Sequence, residues 1–273
     1  MRELVDCHVH TQRCGHATGA VDDYVAAAVT RGLSGIVITE HLALPEEFDP
    51  GHHLSMPACD LEDYLVEVDL ARNRFPEIEV VSGLEADFLL GREAATAAAI
   101  ADARSRSDGA RMVLGSVHFI GDWAFDDPNH IEEWDTHDVD TVWRDYFGLW
   151  LKATSSRMFD VMAHPDLPKK FGHRPTFDLT DIYKAAAAVA SAAGVAIEVS
   201  TAGLRKPVGE LYPAHEMLVA FSAAGVPATV GSDAHDPAEV GFEIPAAYEA
   251  LRAAGYESVQ FPDSSGGWRA IAL

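Results

Sequence analysis

Short runs of apolar, largely β-branched residues recur along the chain, each followed by a stretch with helical spacing. The runs fall at Leu4–Cys7, Gly35–Thr39, Glu79–Gly83, Arg111–Val117, Phe159–Ala163, Val195–Val199 and Pro227–Gly231, with a weaker eighth at Ser258–Phe261. Their nearly unbroken apolar character fits strands covered on both faces, as in a parallel sheet. Between them, Val21, Tyr24, Val25, Ala28 and Val29 repeat at helical spacing, and Gly32 stands where a C-terminal cap belongs. Asp60 is placed to cap a helix carrying Leu61, Tyr64, Leu65 and Val68, which Pro76 stops. Ala-rich helices are expected at 91–105, 182–193 and 238–253, and another over Pro213–Ala223. Seven or eight β–α units, with no linker rich in Pro, Gly or Ser, predict one α/β domain spanning 1–273, a (β/α) barrel of parallel strands. A doubly wound open sheet is the alternative. Two insertions, Leu42–Cys59 and Gly121–Asp138, break the rhythm and are expected to shape a pocket at the strand ends.

Composition narrows the partners. The 273 residues are 48% hydrophobic, and 43 acidic against 20 basic side chains give a formal charge of −23. Such a field repels polyanions, and no basic patch offsets it, so nucleic acid is not an expected partner. A small anion drawn to bound cations is still allowed, because metal ions dominate their local field. The three cysteines, Cys7, Cys14 and Cys59, form no CxxC pair. No signal peptide or membrane-length apolar run is visible, which predicts a soluble, cytoplasmic chain without structural disulfides. The oligomeric state is left open.

Chemistry enters with Asp6-Cys7-His8-Val9-His10. In an extended strand Asp6, His8 and His10 leave from one face, so both imidazoles can share a metal ion with a carboxylate nearby to orient one of them. Alone, such a pair also fits two hydrogen-bonded histidines at a strand end. Six further candidates follow the other strands: His41, Glu85, His118, His164, Asp233 and His235, while His16 lies in the first loop. Nine His or carboxylate side chains thus fall at the C-terminal ends of six strands, which converge on one mouth in a parallel barrel. Imidazole and carboxylate donors without thiolates suit zinc, iron or manganese, and nine suffice for two or three ions. His52, His53, His130, His137 and His215 lie off this pattern and are read as surface or capping residues; Cys7 and Cys14 are read as packing. The sixth strand offers no obvious ligand, but its loop carries Arg205, suited to fork onto a phosphate or carboxylate unless it pairs with Glu210. Lys169, Lys170 and Arg174 follow the fifth strand and add positive potential, or are simply solvated.

Asp6-Cys7-His8-Val9-His10-Thr11, Cys14-Gly15-His16-Ala17, Thr39-Glu40-His41 and Gly231-Ser232-Asp233-Ala234-His235 resemble the PHP superfamily, named for polymerase and histidinol phosphatase. Gly83-Leu84-Glu85-Ala86-Asp87-Phe88, Gly115-Ser116-Val117-His118-Phe119-Ile120 with Trp123-Ala124-Phe125-Asp126, and Thr201-Ala202-Gly203-Leu204-Arg205-Lys206 are similar to its monofunctional histidinol-phosphatase branch, as is His164-Pro165-Asp166-Leu167. The resemblance covers almost the whole chain. It implies a distorted, TIM-like (β/α)7 barrel, with the eighth strand peripheral, and three divalent ions. His8, His10, Glu85 and Asp233 would hold the first; Glu85 would bridge to a second, completed by His118 and His164; His16, His41 and His235 would hold the third. Asp6 stays outside this set and is expected to fix an imidazole in the tautomer a metal requires.

The activity so implied is hydrolysis of L-histidinol phosphate in histidine biosynthesis, by a hydroxide bridging two metals. Arg205 would neutralise phosphate charge, and Asp233 and His235 are candidates, beside metal-bound water, for the proton taken by the leaving alkoxide. Lys169, Trp123, Phe125, Phe171 and Tyr212, with the acidic Glu40 and Asp87, are the candidate substrate contacts. The competing readings are a PHP phosphoesterase acting on a nucleotide or other small phosphomonoester, a metal barrel cleaving C–N bonds, and a metal-binding scaffold without catalysis.

Overall fold

The computed structural model describes residues 3–273 apart from Asp108 and Ser265. Seven strands form one parallel sheet: β1 (Val5–Val9), β2 (Gly35–His41), β3 (Glu79–Asp87), β4 (Met112–Ser116), β7 (Val161–Met162), β8 (Ala196–Ser200) and β9 (Ala228–Gly231). A small hairpin, β5 (Phe119–Ile120) with β6 (Trp123–Ala124), intervenes, and a second one, β10 (Ser258–Pro262) with β11 (Trp268–Ala272), ends the chain. The sheet curls until its edges approach: Val9 and Ala234 form a parallel bridge, and His10 N–H donates to Ala234 O at 2.9 Å. The result is a nearly closed (β/α)7 barrel, which sets aside the doubly wound sheet. The eighth apolar run is β10, outside the barrel, where Phe261 packs so closely on Gly35 that a Cβ there would lie 2.5 Å from its ring.

The helices are α1 (Val21–Thr30), α2 (Leu61–Arg74), α3 (Glu93–Ser105), α4 (Val139–Ser156), α5 (Thr180–Ala193), α6 (His215–Ala223) and α7 (Ile244–Ala253). Their apolar stripes face the sheet, as Tyr24, Val25 and Ala28 do from α1 and Tyr64, Leu65 and Val68 from α2. Two expectations shift, and one helix is added. Asp60 makes no side-chain capping bond to α2. The segment from 238 begins with a 3-10 turn and reaches helix only at Ile244, after Gly241 and Glu243 adopt left-handed backbone angles. Helix α4, unassigned from the sequence, buries Val142, Trp143, Tyr146, Phe147 and Trp150, with the Asp138 carboxylate accepting from Thr141 N–H at its start. Among the described residues no helix is long and apolar enough to cross a membrane.

Asp6 has a different task from the one expected. Its carboxylate accepts from Ser232 N–H (2.8 Å), Ser232 Oγ (2.5 Å) and Gly241 N–H (2.8 Å), and from the backbone N–H of His8 at 3.3 Å, rather than from an imidazole ring. It therefore fastens β1 to the loop after β9, where few ladder bonds close the barrel. Because the group is fully buried, removing it strands several donors. Asp6→Ala should lower unfolding stability by about 2–4 kcal/mol in denaturant titrations; a loss below ~1 kcal/mol would show that other contacts hold the seam.

Candidate metal centre

The parallel register brings the strand ends level. His41 of β2 stands beside Glu85 of β3 in the ladder, and Asp87 beside Ser116 of β4. Glu85 is fully buried and lies among the imidazoles. Its Oε2 is 3.1 Å from His8 Nε2, 3.2 Å from His10 Nε2 and 3.3 Å from His41 Nδ1. Its Oε1 is 3.0 Å from His164 Nε2 and 3.7 Å from His118 Nε2, and accepts a short hydrogen bond from Ser116 Oγ.

Three donor sets emerge. In the first, Asp233 Oδ1 lies 3.7 Å from His8 Nε2 and 3.5 Å from His10 Nε2, with Glu85 Oε2 completing four donors. The second joins Glu85 to His118 and His164, whose Nε2 atoms are 3.3 Å apart. The third is looser. His16 Nε2 is 3.1 Å from His235 Nε2, but His41 falls into a close group with His10 and His235, and the group around His16 includes the Cys14 thiol instead. The structure thus assembles all nine expected side chains in one cluster but does not draw His16, His41 and His235 into a single mutually close set.

Two observations fit these sets to metal ions. A tetrahedral ion with bonds of about 2.0–2.1 Å holds its donors ~3.3 Å apart, the scale of the spacings found. Neither ring nitrogen of the fully buried His10 has a hydrogen-bond partner among the described residues, and neither does His164 Nδ1; a buried, unserved donor atom is costly unless something occupies it. The outer nitrogens are largely spoken for. His8 Nδ1–H donates to Glu198 Oε1 at 2.8 Å, His118 Nδ1–H to Asp87 Oδ1 at 3.0 Å, His16 Nδ1–H to His53 O at 3.0 Å and His235 Nδ1–H to Asp233 O at 3.1 Å. Each bond keeps one ring proton on Nδ1, so that Nε2, facing the cluster, is the nitrogen left to bind a metal. His164 and Asp233 hold left-handed backbone angles, φ 25° and 52°, a strain that concentrates at functional positions.

The supporting acids were only partly legible. Glu40, expected at the mouth, is buried beneath it, accepting from Thr11 N–H and Oγ1 and from His41 N–H. Asp87 orients His118 rather than facing substrate. Glu198 was missed altogether; a lone Glu within the apolar Ala196–Ser200 run is the one signal that marks it.

Electrostatics follow from this crowding. Burial alone would drive the His8 imidazole down, but Glu198, Glu85 and Asp233 outweigh it and hold the ring well above its usual range. His10 is raised well above likewise, against burial, by the facing carboxylates of Asp233, Glu40 and Glu85. The His118 imidazole, opposed by burial but facing Asp87 and Asp126, is pushed up to about 10. Burial would raise the Glu85 and Asp233 carboxyls, yet the surrounding histidines hold both well below the carboxylate range. Burial and the neighbouring His10 depress His41 and His235.

The remaining candidates divide. Arg205 sits beside the cluster: its Nη2 donates to Ser232 O (2.9 Å) and Asp233 O (3.0 Å), and its Nε is 3.2 Å from Glu239, not paired with Glu210. Lys169 is fully buried, its ammonium bound to Asp166 (2.9 Å) and Leu211 O (2.7 Å); these partners account for its charge without substrate. Arg174 binds Glu210, and Lys170 binds Asp126 at 2.9 Å. Trp123 is buried and stacks on His137 at 4.1 Å, while Phe125 packs on Trp134 and Tyr146. Phe171 is half-buried with the Lys170 ammonium over its ring, and Tyr212 is buried with its ring 6.5 Å from that of His164.

Comparison with known proteins shows the family. The sequence model of the PHP domain matches residues 6–202. The chain is 38% identical over 263 residues, 96% of its length and 97% of the relative's, to a Deinococcus radiodurans protein named probable histidinol-phosphatase. It is 24% identical over 270 residues, 90% of this chain and 97% of the other, to the Bacillus subtilis histidinol-phosphatase. Among solved structures, histidinol phosphate phosphatase from Lactococcus lactis, complexed with zinc, L-histidinol and phosphate, shares the fold at TM-score 0.83 and 21% identity, covering 98% of this chain and all of that one (100%). A putative histidinol phosphatase from Listeria monocytogenes does so at TM-score 0.71 and 22% identity, covering 89% of this chain and 99% of that one.

An imidazole ligates a metal only after losing its second proton, and the carboxylates around His8, His10 and His118 favour keeping it, so metal uptake must displace protons. Adding zinc to chelator-treated protein in weak buffer at neutral pH should release protons in proportion to the ions bound. Uptake with no proton release would contradict the raised His8, His10 and His118.

Proposed function

The chain belongs to the PHP domain family, and from that premise we propose that it is a histidinol-phosphatase, a metal-dependent phosphomonoesterase that cleaves L-histidinol phosphate to L-histidinol and phosphate. The observation that carries the metal-dependent reading is Glu85, one buried carboxylate whose two oxygens each serve a different set of imidazoles. The 38% identity across nearly the full length of the D. radiodurans relative supports the substrate. His8, His10, Glu85 and Asp233 are proposed to hold one divalent ion, Glu85, His118 and His164 a second, and His16, His41 and His235 a third, with zinc, iron or manganese fitting these donors. When bound, such ions polarise phosphoryl oxygens and lower the pKa of water to near neutrality.

The chain's own residues then bind and orient. Arg205 is locked by the Ser232 and Asp233 carbonyls and by Phe242, whose ring lies 5.1 Å from the guanidinium carbon. Its Nη1 is buried without a hydrogen-bond partner among the described residues, a donor left over for a phosphoryl oxygen. Lys206 follows it; burial, with the nearby Lys170 ammonium, lowers its pKa, as befits cations gathered around an anion position. Asp233, held ionised, and His235, held neutral, carry no proton to give at neutral pH, so both are assigned to ligation rather than acid catalysis.

Phosphate release from L-histidinol phosphate should depend on divalent metal, vanish on chelation and return on metal addition. No turnover by fully metallated protein would discard the substrate. Arg205→Ala should lower kcat/KM by about 100-fold, and an unchanged value would remove Arg205 from the phosphate site.

A further inference from the structure

Strand β8 supplies no metal donor, yet it sets a carboxylate between two of them. Glu198 is fully buried, and both of its oxygens are engaged. Oε1 accepts from His8 Nδ1–H at 2.8 Å; Oε2 accepts from the backbone N–H of His164 at 2.7 Å. His8 belongs to the first donor set and His164 to the second, and these residues lie at the ends of β1 and β7, which are not neighbours in the sheet.

The barrel keeps room for this bridge. Gly231 pairs with Ser200 across the ladder, and a Cβ on it would lie 2.1 Å from Glu198 Oε1 and 2.5 Å from His8 Cβ. Any side chain at that position would drive the carboxylate and the imidazole apart. The same carboxylate does two different jobs. It holds one proton of His8 on Nδ1, so that Nε2, which faces Glu85 and Asp233, is the nitrogen left to bind an ion. It also pins the first peptide of a strained turn, since His164 has φ 25° and its N–H donates to Glu198 Oε2.

We infer that Glu198 is a positioning residue that couples the first and second ion positions, so that they form and fill together. The inference rests on the proposal that these donor sets hold divalent ions. A carboxylate is required because it offers two acceptors. The amide of Glu198→Gln offers one. If its oxygen serves His8, its NH2 group meets the His164 N–H, donor against donor. If it turns to serve His164, its NH2 group donates to His8 Nδ1 and moves the imidazole proton to Nε2, the atom that should bind metal. Either arrangement damages one position directly and the other through the shared side chain.

The test is a cobalt titration of the chelator-treated full chain, followed by visible absorption and by metal content after gel filtration. The tautomer of His8 is read in parallel from long-range proton–nitrogen NMR of the imidazoles. The wild-type protein should take up three equivalents. Glu198→Gln should weaken two of them together by about 10–100-fold, leave the third unchanged, and shift the His8 proton or broaden its signals. Three equivalents at wild-type affinity would overturn the inference, and so would weakening of one equivalent alone. Failure of the wild-type protein to take up any ion would overturn the metal reading beneath it, a distinct result. Should Glu198→Gln not fold, as judged by circular dichroism, Glu198→Asp serves the same purpose. It keeps the charge on an arm too short to reach both partners, and the same paired weakening is expected.

Discussion

Glu85 is buried, its Oε2 in contact with His8, His10 and His41 and its Oε1 with His164 and Ser116. A buried carboxylate is expensive unless positive charge or hydrogen bonds surround it on every side. Here that requirement dictates the architecture, because the contacting groups come from β1, β2, β4 and the end of β7. The register that sets His41 beside Glu85 and Asp87 beside Ser116 is therefore a condition for the charge to be tolerated. A slip of one residue would turn Glu85 away from the barrel axis and strand it against the helices.

The next layer repeats the same logic outward. Four of the imidazoles, those of His8, His118, His16 and His235, pass their outer nitrogen to an acceptor behind them: Glu198, Asp87, or a backbone carbonyl. Those acceptors are themselves held. Glu198 is shared with the His164 backbone, and the His53 carbonyl that receives His16 is positioned by Asp49, whose carboxylate accepts from the N–H groups of His53, Leu54 and Ser55. The 42–59 insertion is thus a brace for His16 as well as a rim. Gly15 has the form this brace demands, with φ 85° and a Cβ position only 2.8 Å from His52 O.

How much of this can be read from the sequence depends on whether the information is local. Ligands at strand ends are legible because a strand's end and a chemically distinctive side chain coincide within two or three residues, nine times over. Parallel barrel topology then brings them together without any further instruction. Helix α4 was hidden because its buried face is built from Trp143, Tyr146, Phe147 and Trp150, residues with indifferent helix propensity, and Gly148 interrupts it. Glu198 was hidden for a stronger reason. A charged residue in an apolar run is legible only through its partner, and His8 lies 190 positions away. Asp6 was misread for the same cause: its proximity to His8 in sequence suggested a local bond, whereas its principal partners are Ser232 and Gly241 on the far side of the seam.

The charge of −23 and a phosphate substrate look incompatible until distance is taken into account. Surface carboxylates act on a phosphate through water and salt, and their repulsion fades over about 8–10 Å. The groups that would meet it at contact are of the opposite sign. Arg205 and Lys206 lie near Asp233, while Glu85 and Asp233 are themselves balanced by histidine protons. On the proposed reading, exchanging those protons for divalent ions leaves every carboxylate in place and adds charge at the centre. An acidic surface and an anion-binding mouth then coexist because they operate on different length scales. On that reading an extended polyanion would meet the acidic surface with charges that cannot all reach the centre. A single phosphomonoester can place its whole charge there, and a cationic amino alcohol attached to it gains from the acidic surroundings that a longer anion must cross.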